Sequence, residues 1–166
     1  LLRVDGVLEG LDLTGARLSK AQLLQLLSAA VSCTTLEELH LGRTVKNAEK
    51  RGDAIADAIA HLLAQRPRLH TLGLAGGFGH RGFLMPLATR LATNGSLRTL
   101  DLSNNACGDR GCEALAHMLR RNAALTELVL DGNNIGYNGL RTLEIALYGN
   151  RTLRSIPNLD RFVQQA

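Results

Sequence analysis

A glycine-rich segment is the feature of this sequence that most resembles a cofactor-binding motif. Gly77 to Gly82 spells G-x-G-x-x-G after an apolar run, and Asp101 follows about 20 residues later. Dinucleotide-binding folds use such glycines to bring backbone close to a pyrophosphate and an acidic residue to bind a ribose hydroxyl. The same positions recur later in the chain as an ordinary turn, from Asn105 to Arg110. We therefore predict that this segment binds no dinucleotide.

Histidine, cysteine and arginine side chains give weaker indications of chemistry. His40 and His70 lie on neighbouring predicted strands, but two imidazoles without a third ligand do not make a metal site. Cys107 and Cys112 have no CxxC spacing, and we expect Cys107 to replace an apolar turn residue in the core. Arg43 follows a strand and could imitate the catalytic arginine of a GTPase activator. On balance the sequence predicts no cofactor, no metal and no catalytic residue.

The composition restricts the class of protein before any fold is considered. The chain has 166 residues, of which 45% are apolar and 20% charged, and this excludes collagen-like and disordered chains. No uninterrupted apolar run reaches the length of about 20 residues that a membrane span needs. Aromatic residues make up 3%, too few for the stacking platforms that bind single-stranded nucleic acid. Three cysteines, an odd number, favour a reducing compartment over a disulfide scaffold.

Leucines at a fixed period identify the elements that must position any site. The pattern L-x-x-L-x-L begins at residues 8, 36, 69, 97 and 125, with spacings of 28, 33, 28 and 28. A partial sixth unit begins at Leu153, where Pro157 and Asn158 interrupt the pattern. Each unit predicts a short strand, a turn and an amphipathic helix. Because one unit cannot bury its apolar faces alone, we predict an α/β solenoid with a parallel sheet on the concave side and helices on the convex side.

Asparagines recur at the turns that follow the later strands. Asn105 and Asn133 occupy a position from which a side-chain amide can bond the backbone of the next turn. The corresponding residues of the three earlier units are Ala16, Thr44 and Gly77. The sequence therefore predicts a ladder of asparagines that covers only part of the array.

The repeat consensus resembles that of a known family. Leu97–Ala124 and Leu125–Thr152 follow LxxLxLxxNxIGxxGxxxLAxxLxxNxxL, which is similar to the ribonuclease-inhibitor class of leucine-rich repeats. That class includes ribonuclease inhibitor, the GTPase-activating protein of Ran, NOD-like receptors, tropomodulin and the CARMIL proteins. The resemblance covers essentially the whole chain, and the sequence begins without Met. We expect residues 1–166 to be one leucine-rich repeat fragment of a longer protein.

Two shorter features resemble CARMIL proteins in particular. Five extra residues lengthen the second unit within Leu36 to Lys50, and the array closes with N-R-T-L-R-S-I-P-N-L-D, from Asn150 to Asp160. The same order looks like the C-terminal end of the CARMIL leucine-rich repeat domain. The resemblance implies a cytoplasmic, cytoskeleton-associated scaffold of an actin regulator that links capping protein, the Arp2/3 complex and myosin I, without enzymatic activity. A NOD-like receptor sensor region and a Ran-type GTPase activator stay open as alternatives.

The predicted concave face is negatively charged although the whole chain carries +4. Its inward positions hold seven acidic side chains and three arginines, a net of −4, which leaves +8 on the rest of the chain. We predict that this face binds a basic protein surface; the alternative is that the charges are merely solvated. The predicted partner-binding residues are Glu37, Glu38, His40, Arg43, Arg98, Asp101, Glu127 and Asp131. Nucleic acid is not expected there, because phosphates need a basic track, and no direct insertion into a membrane is expected.

Overall fold

Strand and helix alternate along residues 8–45, 53–78 and 81–158, which the computed structural model describes. Each three-residue strand is followed by a turn and by a helix of three or more turns. The elements, in chain order, are β1 (Gly10–Asp12), α1 (Lys20–Ala30), β2 (Glu38–His40), α2 (Asp53–Gln65), β3 (Thr71–Gly73), α3 (Arg81–Leu91), β4 (Thr99–Asp101), α4 (Gly108–Leu119), β5 (Glu127–Val129) and α5 (Tyr137–Leu147). The five-residue lengthening of the second unit lies largely outside the described residues.

The strands form one parallel sheet in sequence order, β1-β2-β3-β4-β5. Each central leucine lies directly opposite the next along the stack, and these are Leu11, Leu39, Leu72, Leu100 and Leu128. The helices pack in the same order, α1 on α2 through to α4 on α5. Since helices are wider than strands, the stack curves with the sheet on the inside. The predicted α/β leucine-rich repeat solenoid is confirmed.

The partial sixth unit adds a single bridge rather than a full strand. Ser155 pairs with Glu127 in parallel, and Arg154 donates its N–H to the carbonyl of Thr126 at 2.8 Å. Pro157 follows two residues later and has no N–H to continue the ladder. The interruption expected from the sequence is therefore present in this part of the structure.

Leucine is the most frequent residue in the layer between sheet and helices, where Ile59, Phe83 and Met118 are also buried. Leu39, Leu72, Leu100 and Leu128 are fully buried, whereas Leu11, in the first strand, is half-buried. The residues on either side of each buried leucine point the other way, because side chains alternate along a strand. Those flanking residues form the concave face, so the leucine register decides which polar side chains become neighbours.

Buried polar side chains close the turns after the strands. The amide of Asn105 donates to the carbonyl of Leu74 at 2.9 Å and accepts the N–H of Phe78 at 2.6 Å. Thr44 occupies the corresponding position in the second unit, where its buried hydroxyl donates to the carbonyl of Leu13 at 2.9 Å. The hydroxyl of Thr44 thus replaces one of the bonds that an asparagine amide makes at this position.

A second ladder closes the turns between each helix and the next strand. The amide of Asn122 donates to the carbonyl of Leu91 at 2.6 Å, and its oxygen accepts the N–H of Leu125 at 2.8 Å. Asn94 and Asn150 accept the corresponding N–H groups in the neighbouring units. The turns before and after the later strands are thus both held by side-chain amides that satisfy buried backbone groups.

Replacing Asn105 with alanine tests the first ladder. The substitution leaves the N–H of Phe78 and the carbonyl of Leu74 buried without these partners, so we expect the free energy of unfolding to fall by about 2–3 kcal/mol. Urea denaturation followed by circular dichroism measures the change. Asn138→Ala is the matched control, because Asn138 is exposed, and its effect should stay within about 0.5 kcal/mol. Equal destabilisation by the two substitutions would contradict the role given to the ladder.

Candidate protein-interaction face

Two rows of side chains line the concave face, one on each side of the buried leucines. The strand pairing places the members of a row next to one another across the sheet. The first row is Gly10, Glu38, Thr71, Thr99 and Glu127. The second row is Asp12, His40, Gly73, Asp101 and Val129. Four of the predicted site residues, Glu38, His40, Asp101 and Glu127, lie in these rows. The other four, Glu37, Arg43, Arg98 and Asp131, lie just before or after a strand.

Glu37 is paired with a cation that the sequence did not place on this face. Arg68 forms an ion pair and hydrogen bonds with the carboxylate, and Nε2 of His70 lies 3.7 Å from its Oε2. The hydrogen bond from Arg68 holds the pKa of Glu37 below its ordinary value. Arg68 lies in the turn immediately before the third unit, outside the inward positions that the repeat defines. Glu37 consequently adds less negative potential to the face than its charge predicts.

His40 lies across the neighbouring strand because that strand carries a glycine. A Cβ added at Gly73 would overlap Nδ1 of the His40 imidazole. The other ring nitrogen, Nε2, lies 3.9 Å from Oε2 of Glu38. A glycine in a strand often marks a place where another group approaches closely, and here that group is an imidazole.

Three carboxylates lie on or just after the strands of the fourth and fifth units. Asp101 accepts the N–H of Ser103 at 2.8 Å, and Asp131 accepts an amide hydrogen of Asn158 at 3.1 Å. The carboxylate of Glu127 forms no hydrogen bond or ion pair within the described part of the chain. None of the three carboxylates has a cationic partner among the described residues. We call this group the acidic cluster.

Asp12 repeats the local geometry of Asp101 in the first unit. Its carboxylate accepts the N–H of Thr14 at 2.8 Å. Hydrogen bonds from Thr14, through the side chain first and the backbone second, hold the pKa of Asp12 below its ordinary value. The carboxylate therefore stays ionised, and it extends the negative face beyond the predicted site residues.

The two predicted arginines of the face behave differently from each other. Nη1 of Arg98 donates to the carbonyls of Gly95 and Ala124 at 3.0 Å each, and so ties two turns together. Arg43 has a left-handed backbone, with φ of 50°, and its side chain lies over Gly76. It is exposed and makes no ion pair with a described residue. Arg98 thus has a structural task, and Arg43 is the arginine of the pair that can meet a partner.

The glycine-rich segment forms the turn of the third unit where the structure describes it. Gly76 and Gly77 have φ of 67° and 109°, and the buried Phe78 donates its N–H to Asn105. Residues 79 and 80 of the motif lie outside the described residues. Among the described residues, no group of three or more His, Cys, Asp or Glu side chains could hold a metal ion.

The cysteine pair of the fourth unit is packed in the core. Cys112 is fully buried and Cys107 is half-buried. Burial raises the pKa of Cys107 to about 11 and that of Cys112 to about 12. A thiol that stays protonated is a poor nucleophile. These two side chains therefore act as small apolar residues.

The fold defines the class of protein. A family model described as a leucine-rich repeat matches residues 93–116 and 121–143, and the chain is a leucine-rich repeat protein. Within that class it resembles Protein CARMIL of Dictyostelium discoideum, with 30% identity over 132 residues, which are 76% of this chain and 12% of the relative. The resemblance to CARMIL proteins that the sequence predicted is confirmed.

Other proteins share the repeat over most of the chain. The Rho GTPase-activating protein gacW of Dictyostelium discoideum is 29% identical over 155 residues, covering 90% of this chain and 14% of the relative. Tonsoku-like protein of Bos taurus is 31% identical over 130 residues, covering 78% of this chain and 8% of the relative. The chain therefore spans less than a sixth of each curated relative.

A solved structure shows the same fold. The actin-binding site 2 region of leiomodin-1 superimposes with a TM-score of 0.64 over 97% of this chain and 86% of that chain, at 18% identity. At that identity the likeness concerns the fold alone. No helix among the described residues is long and apolar enough to cross a membrane.

The raised thiol pKa values predict a pH dependence. In the unfolded chain a thiol loses its proton near pH 9, whereas the folded chain keeps both protons until pH 11 or above. The contribution of Cys107 and Cys112 to stability is thus complete below pH 9 and is lost as the pH rises through 11 and 12. Alkylation by iodoacetamide at pH 8, followed by mass spectrometry, should be much slower for native Cys112 than for the urea-unfolded chain. Equal rates in the two states would contradict the burial.

Gly73→Ala should move the His40 imidazole with little change in stability. The clashing atom is at the far end of a rotatable side chain, so the ring can turn away. Ring proton and carbon shifts of His40 in NMR spectra report the movement. Gly10→Ala is the matched control, since Gly10 lies in the first row with open space where its Cβ would be. Unchanged His40 shifts in Gly73→Ala would refute the contact.

Proposed function

We propose that this chain is a protein-interaction scaffold of a CARMIL-type regulator of the actin cytoskeleton, and that its concave face binds a basic surface of a protein partner. One observation carries the proposal: the acidic cluster of Asp101, Glu127 and Asp131 faces inward without a paired cation among the described residues. The similarity to CARMIL supports the actin setting, and with it a cytoplasmic, cytoskeleton-associated location. In this proposal the chain has no enzymatic activity and needs no cofactor, and neither nucleic acid nor membrane is its partner.

The geometry of the cluster suits recognition of lysine and arginine. Asp101 and Glu127 lie on strands whose spacing is fixed by backbone pairing, and Asp131 lies in the turn after β5. Because the backbone is already ordered, binding costs little further conformational entropy there. Hydrogen bonds from the backbone N–H of Ser103 and the amide of Asn158 orient Asp101 and Asp131 before a partner arrives. Complementary charge of this kind speeds association and rejects acidic partners more than it adds affinity.

The candidate partners follow from the relatives. The resemblance to CARMIL proteins points to the Arp2/3 complex and myosin I. The solved leiomodin-1 region is named for actin binding, so actin filaments belong among the probes. Capping protein completes the set, although the expected capping-protein motif of the family lies beyond the repeats. In this proposal the chain positions such partners relative to one another within a longer regulator.

Charge reversal in the first row tests the proposed face. The double variant Glu38→Lys with Glu127→Lys places positive charge opposite a basic partner. We expect the dissociation constant of the complex to rise by about tenfold or more. Binding is measured by biolayer interferometry with purified Arp2/3 complex, myosin I and capping protein, and by cosedimentation with actin filaments. Each measurement is repeated at two salt concentrations, since a charge-driven contact weakens as salt rises.

Glu113→Lys with Glu144→Lys is the matched control. It makes the same change of charge at two exposed glutamates of α4 and α5, on the convex side. Glu144 has the same side-chain exposure, 53%, as Glu38. We expect the control to bind as the unchanged chain does. Equal losses in both double variants, or no binding to any of the four probes, would overturn the proposed concave site.

The two alternative functions, a GTPase activator and a NOD-like sensor region, predict different results. A GTPase activator would accelerate GTP hydrolysis by Ran or, given the name of the gacW relative, by a Rho GTPase. We expect no acceleration, because Arg43 lies over Gly76 instead of extending from the turn. Faster hydrolysis that is lost in Arg43→Ala would favour the activator. A NOD-like sensor region would instead be indicated by a nucleotide-binding domain in the parent sequence.

A further inference from the structure

The turns that follow α2, α3, α4 and α5 carry charge of a single sign, unlike the earlier turn between α1 and β2, which contains Glu37 and no arginine. We call these four later turns the amino edge, and they consist of residues 64–70, 92–98, 120–126 and 148–154. These segments contain seven arginines and neither aspartate nor glutamate. The arginines are Arg66, Arg68, Arg98, Arg120, Arg121, Arg151 and Arg154. The edge at the opposite ends of the strands mixes both signs, as Asp109 beside Arg110 illustrates.

Three of the seven arginines have structural tasks. Nε of Arg66 donates to the carbonyl of Val31 at 2.5 Å, Arg68 pairs with Glu37, and Arg98 bonds two carbonyls. These contacts show how this fold uses an arginine to hold itself together.

The other four arginines have no such task within the described part of the chain. Arg120, Arg121, Arg151 and Arg154 are exposed and make no side-chain hydrogen bond or ion pair with a described residue. They belong to the last two helix-to-strand turns. Unlike the first three, they leave their guanidinium groups available to another molecule.

The helix dipole explains the positions of only two of these four arginines. Arg120 and Arg121 directly follow Leu119, the last residue of α4, where the negative end of the dipole favours a cation. Arg151 and Arg154 lie four and seven residues beyond Leu147, the last residue of α5. The dipole effect fades within the last turn of a helix. Neither an internal partner nor the helix dipole thus explains why Arg151 and Arg154 are arginines.

The turns that carry these arginines are held rigidly. The amide of Asn150 donates to the carbonyls of Leu119 and Asn122 at 2.7 and 3.1 Å, and joins one turn to the next. Asn122 makes the corresponding bonds to the turn before it. These bonds hold the backbone from which the arginines extend. A planar guanidinium group matches a carboxylate in a pair of hydrogen bonds, and the seven cations of the edge are arginine rather than lysine.

We propose that the amino edge of the last two turns docks an acidic polypeptide segment, rich in glutamate or aspartate, of a partner protein. A membrane surface fits less well, because Tyr148 is the one large apolar side chain exposed in the described part of this edge, and interfacial binding needs a broader apolar face. The site adjoins the concave face, with Thr126 of the edge directly before Glu127 of the acidic cluster, and has the opposite charge. A regulator of this kind can therefore hold a basic partner and an acidic one together.

Fluorescence anisotropy with a labelled peptide of about ten glutamates tests the proposal on the whole 166-residue chain. We expect binding that weakens steeply as salt rises, because arginine contacts of this kind are electrostatic. Arg121→Glu with Arg151→Glu should raise the dissociation constant about tenfold or more. Arg121→Lys with Arg151→Lys keeps the charge but loses paired hydrogen bonding, so an intermediate loss is expected.

Arg17→Glu with Arg110→Glu is the matched control, since both arginines are exposed at the opposite edge. It should bind the peptide as the unchanged chain does, and circular dichroism checks that every variant is folded. Three results would overturn the proposal: no binding at low salt, equal losses in the two Glu variants, or binding to phosphatidylserine vesicles without binding to the peptide. In the last case the edge recognises lipid.

Discussion

Every feature of this structure depends on one constraint: a single strand–helix unit cannot bury its own leucines. The unit is stable only when another unit covers it on each side, with the central leucines opposite each other. Leu39, Leu72 and Leu100 are fully buried because they have neighbours on both sides, and Leu11 is half-buried at the end of the described stack. Register is therefore fixed by burial, and a slip by one residue would turn every leucine toward solvent.

The leucine register also decides what the surfaces can do. Positions on either side of a buried leucine must face the concave side, whatever residue occupies them. Those positions contribute nothing to the leucine core and are free to carry charge. The residues of the helix-to-strand turns can likewise carry charge, once an asparagine or another side chain has bonded the buried backbone groups. The acidic cluster and the amino edge are two groups of such surface residues, and the same scaffold positions both.

Periodicity was sufficient to predict the fold and which strand positions flank the buried leucines. It could not predict side-chain partners, because these depend on neighbours that the repeat does not specify. Arg68 lies just before its unit and pairs with Glu37, and Arg98 turns back onto the carbonyls of Gly95 and Ala124. Thr44 was missed as a ladder member because the consensus asks for asparagine, whereas the backbone needs only a donor. The amino edge could have been found by collecting the arginines of the turns.

Gly77 has a mechanical consequence for the array as a whole. It occupies the ladder position between the second and third units and has no side chain to bond the turn before it. That junction is tied on its surface by two ion pairs, Arg68 with Glu37 and Arg90 with Asp57, and exposed pairs contribute little and weaken in salt. The later junctions are tied by buried amides. The side-chain ties between the second and third units are thus the ones that salt can weaken, whereas the acidic cluster lies among units joined by buried amides.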